Sequence, residues 1–303
     1  MTETARTDAE LARSLEGDFT SAYAEVNGVR LHYVEGGSGE PLVLLGGWPQ
    51  TWWQFHKIMP ELARRHRVIA VDLRGMGGSA KPESGYDKKT MARDVYDLVR
   101  RLGHDRVDIA GHDIGAMVGY AFAANHPEAI RKLALLDVAH PDRTFQDLSL
   151  LPAAGPDWES EPVSGVYLWW FAFNQVKGLP ERLIAGRSRL LIDWLFDYMT
   201  KDPASIDDHA RAVYADAYAT PDAIRAGNAW YQTFFQDFAD FETYAPVSLP
   251  ILGVAGGLNG DYLRERLAEH GTDVRVTALA DSGHYLPEER PQEVTALLTE
   301  FFA

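Results

Sequence analysis

Gly111-His112-Asp113-Ile114-Gly115 is the stretch on which the reading of this chain turns. It lies between an apolar run, Arg106 to Ala110, and a helix-like run, Ala116 to Asn125. The pattern small–x–nucleophile–x–small, at a junction of strand and helix, describes a sharp elbow that pushes its middle side chain out at the top of a sheet. A serine at that position would attack a carbonyl and form an acyl-enzyme. The carboxylate of Asp113 is suited instead to displacing a leaving group from a saturated carbon, which makes an alkyl ester of the protein itself.

Upstream of the elbow, Thr20-Val26 and Val29-Glu35 flank Asn27-Gly28, a strong hairpin signal. Pro41 to Leu45 and Val68 to Val71 are short apolar runs of the kind buried in parallel sheets, with a helical stretch expected from Thr51 to Arg64 between them. Met91, Val95, Leu98, Val99 and Leu102 recur at helical spacing, and Leu133 to Leu136 reads as the strand after the elbow helix. This alternation specifies an α/β fold with a mostly parallel central sheet flanked by helices. The rhythm stops near Pro141 and resumes at Pro250 to Val254 and Val274 to Leu279, with a closing helix from Pro291. The expected organisation is a core in two parts, 1–140 and 247–303, with an all-helical cap, 141–246, over the C-terminal edge of the sheet where ligands bind in open α/β folds. Residues 1–17 are polar and Ala-rich and read as an extension outside the core, with a short helix at most.

Composition narrows the function. The 303 residues suffice for one large domain with an insertion. A net charge of −15 repels phosphates, so nucleic acid is not an expected partner. With no Cys, disulfides and thiolate metal sites are excluded. The start, Met1 to Ala5, has no apolar secretory segment, no run reaches membrane-spanning length, and cytoplasmic residence is the expectation.

Four features then fall at the ends of expected strands. Gly46-Gly47-Trp48-Pro49 follows the strand ending at Leu45, where the Trp48 amide can join the Ile114 amide as an oxyanion hole. Asp113 sits on the elbow. Asp137 directly follows Leu136, and His284 lies in Asp281-Ser282-Gly283-His284-Tyr285 after the last strand. Singly, Asp113 could be a helix-capping turn residue, Asp137 a loop cap and His284 a surface histidine. In the order nucleophile, acid, histidine they match a catalytic triad.

On these residues the chain resembles the epoxide hydrolases of the α/β-hydrolase fold from about Tyr23 to Phe302, and in particular the bacterial subset with His-Asp-Ile-Gly at the elbow. The resemblance is carried by Gly46 to Gln50, Asp72-Leu73-Arg74-Gly75-Met76-Gly77-Gly78-Ser79, Gly111 to Gly115 and Gly283-His284-Tyr285-Leu286-Pro287-Glu288. The second of these recurs across the wider fold and carries no chemistry. The resemblance implies that Asp113 opens an epoxide and that a water activated by His284 hydrolyses the ester, with no metal and no organic cofactor. The acid behind His284 usually follows the strand after the cap; Asn259 holds that place here, and Asp261 lies two residues later. The bacterial subset carries its acid after the preceding strand, which favours Asp137 over Asp261. Of the family's two cap tyrosines, Tyr231 in Trp230-Tyr231-Gln232 matches one. Trp170 takes the place of the other, where its indole N–H, with that of Trp169, would polarise the oxygen without giving up a proton; Tyr167 is the reserve donor. Gly46 departs from the family's usual His. Trp194, Phe196, Tyr198, Phe234, Phe235 and Phe238 suit a small apolar or aromatic epoxide as substrate, with water as co-substrate. Two other readings use the same residues. A haloalkane or haloacid dehalogenase would share Asp113 and His284, although Ile114 stands where those enzymes carry Arg or Trp. A non-catalytic ligand binder would share only the fold.

Overall fold

The computed structural model describes residues 6–151, 167–257 and 259–303. Its centre is an eight-stranded sheet: β1 (Thr20–Val26), β2 (Val29–Gly37), β3 (Glu40–Leu45), β4 (His66–Asp72), β5 (Val107–His112), β6 (Ile130–Leu136), β7 (Val247–Gly256) and β8 (Gly271–Leu279). The strand order is β1-β2-β4-β3-β5-β6-β7-β8. The β1–β2 and β2–β4 pairs are antiparallel, and all later pairs are parallel. Asn27 and Gly28 both have positive φ, 44° and 75°, as the two-residue turn between β1 and β2 requires.

Alternation within the strands sorts side chains into two cores. Val43, Leu45, Ile69, Val71 and Ile109 face one layer, with Met91, Val95 and Leu98 of helix Lys88–Arg101. Leu42, Leu44, Val68, Ala70 and Ala110 face the other, with Val294 and Leu298 of helix Pro291–Phe302. A period of two along fully buried strands produces this division, and helices on both faces cover it.

Two expectations are corrected. The 51–64 stretch is not one helix. A 3₁₀ turn, Trp52–Phe55, starts on the Thr51 side chain, and a separate short helix, Met59–Leu62, starts around Pro60, whose missing N–H suits a first turn and not a helix interior. The described part of the N-terminal extension, 6–17, is also not outside the core. Helix Asp8–Ser14 buries Leu11 and Ala12 beside Phe19 and Trp52, and Asp8 accepts the Trp52 indole N–H at 2.8 Å. A single buried face on a seven-residue helix is too short a pattern to read from sequence.

Among the described residues, every element between β6 and β7 is helical, including Trp169–Gln175, Ser188–Met199, Asp208–Ala217, Pro221–Gln232 and Phe234–Phe241. The 152–166 part of the expected cap lies outside the described residues. Buried Lys88, on the helix after β4, joins this insertion to the core. Its ammonium pairs with Asp237 at 2.9 Å and donates to the Trp230 carbonyl at 2.5 Å.

Candidate active site

Sheet register assembles the site. Leu45 of β3 pairs with Gly111 of β5, so the loops leaving both strands emerge side by side where the chain changes direction across the sheet. His112 pairs with Leu136, which makes Asp113 and Asp137 neighbours just beyond the paired ends. Gly256 pairs with Leu279, and the loop after β8 brings His284 back over Asp137.

The elbow is sterically determined. Asp113 has φ 52° and ψ −121°, a conformation L-residues rarely adopt and one that surrounding structure must hold. A Cβ on Gly115 would stand 2.0 Å from the Leu45 carbonyl oxygen, and one on Gly47 would stand 2.3 Å from the Asp113 Cβ. Both glycines are needed for the elbow to approach the β3 loop.

The Trp48 amide donates to Asp113 Oδ1 at 2.8 Å, and the Ile114 amide lies close enough to favour the ionised carboxylate. The other oxygen, Oδ2, lies 3.8 Å from His284 Nε2. On its far side, His284 Nδ1 contacts Asp137 Oδ2 at 2.7 Å. Asp137 also accepts the Gly256 amide at 2.7 Å and the Asn259 side-chain amide at 2.8 Å, and its own backbone is left-handed, φ 66°. Asp261 is turned to solvent and paired with Arg264 at 2.5 Å, away from the histidine. Asn259, at the position where the resemblance places the acid, hydrogen-bonds the acid that stands in for it.

Burial raises the Asp113 carboxyl, against the His284 charge and the two amides that lower it. Burial also disfavours protonated His284, but the Asp137 hydrogen bond and the charges of Asp137 and Asp113 outweigh it, so the imidazole is raised above its ordinary value. Tyr231 is pushed well above the ordinary phenol value by burial first and then by the Asp113 charge, with a Trp170 hydrogen bond opposing. It is therefore a protonated donor throughout the neutral range.

Asp113, His284, Trp48, Tyr231 and Trp170 line one cavity of about 390 Å³, together with the apolar side chains of Phe145, Leu148, Leu168 and Phe171 and with Tyr198. Trp169 and Tyr167 are not in it. They line a separate apolar groove with Leu190 and Trp194. Adjacent helical residues point about 100° apart, so Trp170 facing the cavity turns Trp169 away. Trp170 lies close enough to Tyr231 to oppose the rise of its phenol. Of the six other aromatic positions singled out in the insertion, Tyr198 lines the cavity, Phe196, Phe234 and Phe238 are buried in packing, and Trp194 and Phe235 are exposed.

Sequence reasoning missed Tyr285, which lines the cavity beside His284, and the buried pair Gln54 and His112 behind it. Tyr285 was open to detection as the neighbour of a candidate base. The Gln54–His112 contact joins positions 58 apart and carries no local signal.

The fold and this arrangement define an α/β-hydrolase with an aspartate on its elbow, and residues 40–173 match the family described as alpha/beta hydrolase fold. The chain is 33% identical to the soluble epoxide hydrolase of Corynebacterium sp. (strain C12), over 94% of this chain and 98% of that protein. It is 26% identical to a fluoroacetate dehalogenase from Burkholderia sp., over 94% of each. The crystal structure of Cfl2 from Burkholderia cenocepacia superposes with a TM-score of 0.86 at 36% identity, covering 98% of this chain and 99% of that one. The chain belongs to the epoxide hydrolase family of α/β-hydrolases.

Proposed function

We propose that this protein hydrolyses a small apolar or aromatic epoxide to a vicinal diol through an ester on Asp113. The observation that carries the reading is the division of labour on that carboxylate. Oδ1 is held by the Trp48 amide, while Oδ2 faces His284 in the cavity it shares with Tyr231.

Asp113 Oδ2 attacks an epoxide carbon, a new C–O bond forms, and the ring C–O bond breaks. The ring oxygen takes its proton from Tyr231, because an alkoxide is a poor leaving group without one. Trp170 supports this step by donating to the Tyr231 oxygen, which steadies the phenolate. His284, oriented by Asp137, then takes a proton from water, and the hydroxide attacks the Asp113 carboxyl carbon. The oxyanion develops on Oδ1, where the Trp48 and Ile114 amides receive it. Collapse expels the second alcohol, which takes the proton from His284. The carboxyl proton left on Asp113 returns to the Tyr231 phenolate, and the sum is epoxide plus water giving diol. The helices of 141–246 act as a cap, supplying Tyr231 and Trp170 and excluding bulk water.

The test is intact-mass analysis of His284→Gln mixed with styrene oxide. The enzyme should gain the mass of one substrate, on a peptide containing Asp113, and hold it for many wild-type turnover times. A variant that stays unmodified while the wild type forms diol would overturn the covalent route.

A further inference from the structure

Behind the catalytic histidine lies a buried chain that the reaction as described does not use. His112, fully buried, places Nε2 2.8 Å from the His284 backbone carbonyl and Nδ1 2.8 Å from Gln54 Oε1. Gln54 is also fully buried, and its Nε2 is 3.5 Å from the Thr51 carbonyl. The room for this amide exists because residue 46 is glycine: a Cβ there would stand 2.0 Å from Gln54 Nε2. Gly46 is thus the opening through which a glutamine from the 3₁₀ turn Trp52–Phe55 reaches the elbow histidine.

The proton count on His112 decides how the chain works. A backbone carbonyl only accepts, so Nε2 must carry a hydrogen. If Gln54 also presented its oxygen, both ring nitrogens would need hydrogens and the ring would be a cation. The groups facing this part of the site are His284, whose ring centroid is 4.7 Å away, and Tyr285, at 6.1 Å; Asp137, Asp113 and Glu289 act on His284 from its other sides. Burial and the His284 charge hold the His112 imidazole well below its ordinary value, so the ring is neutral. A neutral ring with hydrogen on Nε2 has a bare Nδ1, which needs a donor. The two ends of a primary amide have nearly the same shape, so the amide turned end for end satisfies the ring without moving the side chain, at the loss of the long 3.5 Å contact to the Thr51 carbonyl.

We propose that Gln54 and His112 are positioning residues for His284: the Gln54 amide N–H donates to His112 Nδ1, fixing the tautomer whose Nε2–H holds the His284 carbonyl. The contact anchors the backbone of the base opposite its Asp137 contact, much as outer partners orient metal-bound histidines. His284 is held by its ring through Asp137 and by its main chain through His112, so loss of either lets the imidazole drift from the Asp113 ester. The chain contributes to ester hydrolysis and not to alkylation, since Asp113 itself is held by the Trp48 and Ile114 amides. The inference rests on the reading of His284 as the base.

Two measurements test it. The first is a ¹H–¹⁵N imidazole correlation spectrum of the wild-type protein, with His112 assigned from a His112→Gln sample. The His112 signal should show a hydrogen on Nε2 and none on Nδ1 between pH 6 and 9. Hydrogens on both nitrogens, or on Nδ1 alone, would overturn the proposal. The second is step-resolved kinetics of Gln54→Met, which keeps the length and removes the donor. Alkylation should stay within about 3-fold of wild type while ester hydrolysis slows about 10-fold or more, so that alkyl-enzyme accumulates. Equal slowing of both steps would mark a merely structural role, and no slowing would mark none. The spectrum needs no substrate and stands even where Gln54→Met fails to fold. A protein that forms no alkyl-enzyme, with His284→Gln also unmodified, would sink the epoxide reading and leave the tautomer result intact.

Discussion

Asp137 receives hydrogen bonds from the Gly256 amide, the Asn259 side chain and the His284 ring, and spends both oxygens doing so. Its charge is a main reason the imidazole is raised against the pull of burial. On the proposed route the neutral form of His284 is the working base, so ester hydrolysis should rise with pH along a limb set by its imidazole, which the Asp137 contact still raises once Asp113 is an uncharged ester. Asp137→Asn removes the charge and leaves the size. The limb should move to lower pH, because protonated His284 loses its stabilising partner, and the plateau rate should fall by ~10²–10⁴-fold as the imidazole loses its preferred tautomer. A pH profile of single-turnover ester hydrolysis checks this; Asp113 is an uncharged ester in that step, so an unmoved limb would show that Asp137 does not set the imidazole. At this scale the sequence was informative where chemistry demanded a residue type beside a strand end, as at Asp113, Asp137 and His284. It pointed to Trp170 but brought Trp169 inward with it, because helix phase over a seven-residue segment is set by packing against neighbouring elements, here Tyr198 and Tyr231, and not by the segment itself.

Elements were legible in proportion to the regularity of their burial. The parallel strands β3 to β6 are apolar on both sides because helices cover both faces, and such runs stand out in a chain of mixed polarity. Strand β8 lies at the sheet edge and begins with exposed Thr272 and Asp273, so only Val274 to Leu279 reads as a strand. The joint between helix Lys88–Arg101 and helix Phe234–Phe241 was not legible, since a lysine and an aspartate 149 apart look like surface residues until the fold buries them. Lys88 and Asp237 are fully buried, and the ammonium is further tied to the Trp230 carbonyl, one residue before Tyr231. Asp237→Leu leaves a buried unpaired cation and should cost about 3–5 kcal/mol in chemical denaturation, whereas Lys88→Met combined with Asp237→Leu should recover most of that loss. Equal destabilisation in the single and double variants would show that the joint depends on the other hydrogen bonds of Lys88 and Asp237 and not on the pairing of their charges.

Over the whole molecule, the cavity draws its chemistry from two layers that neither could supply alone. The sheet edge contributes a carboxylate, a base and two amides, all aimed by strand register. The inserted helices contribute the phenol and the indole, aimed by helix packing across the gap. The separation has a measurable consequence, because the two layers serve different bonds. On the proposed route Asp113 makes the bond to carbon whatever the leaving group, but only an oxygen leaving group needs the Tyr231 proton. Tyr231 is buried beside Trp48, and burial with the nearby Asp113 charge keeps it protonated, so its proton is available across the neutral range. Tyr231→Phe should therefore lower the rate of Asp113 alkylation by epoxides by ~10²–10⁴-fold, the usual worth of a positioned general acid. Alkylation by a primary alkyl bromide, whose leaving group departs as a stable anion, should change far less in the same variant. Rapid-quench mass analysis in the His284→Gln background isolates that step, since the ester then persists. If both electrophiles slow together, Tyr231 shapes the cavity and the proton comes from elsewhere; if neither slows, the inserted layer contributes enclosure alone and the sheet edge carries the reaction by itself.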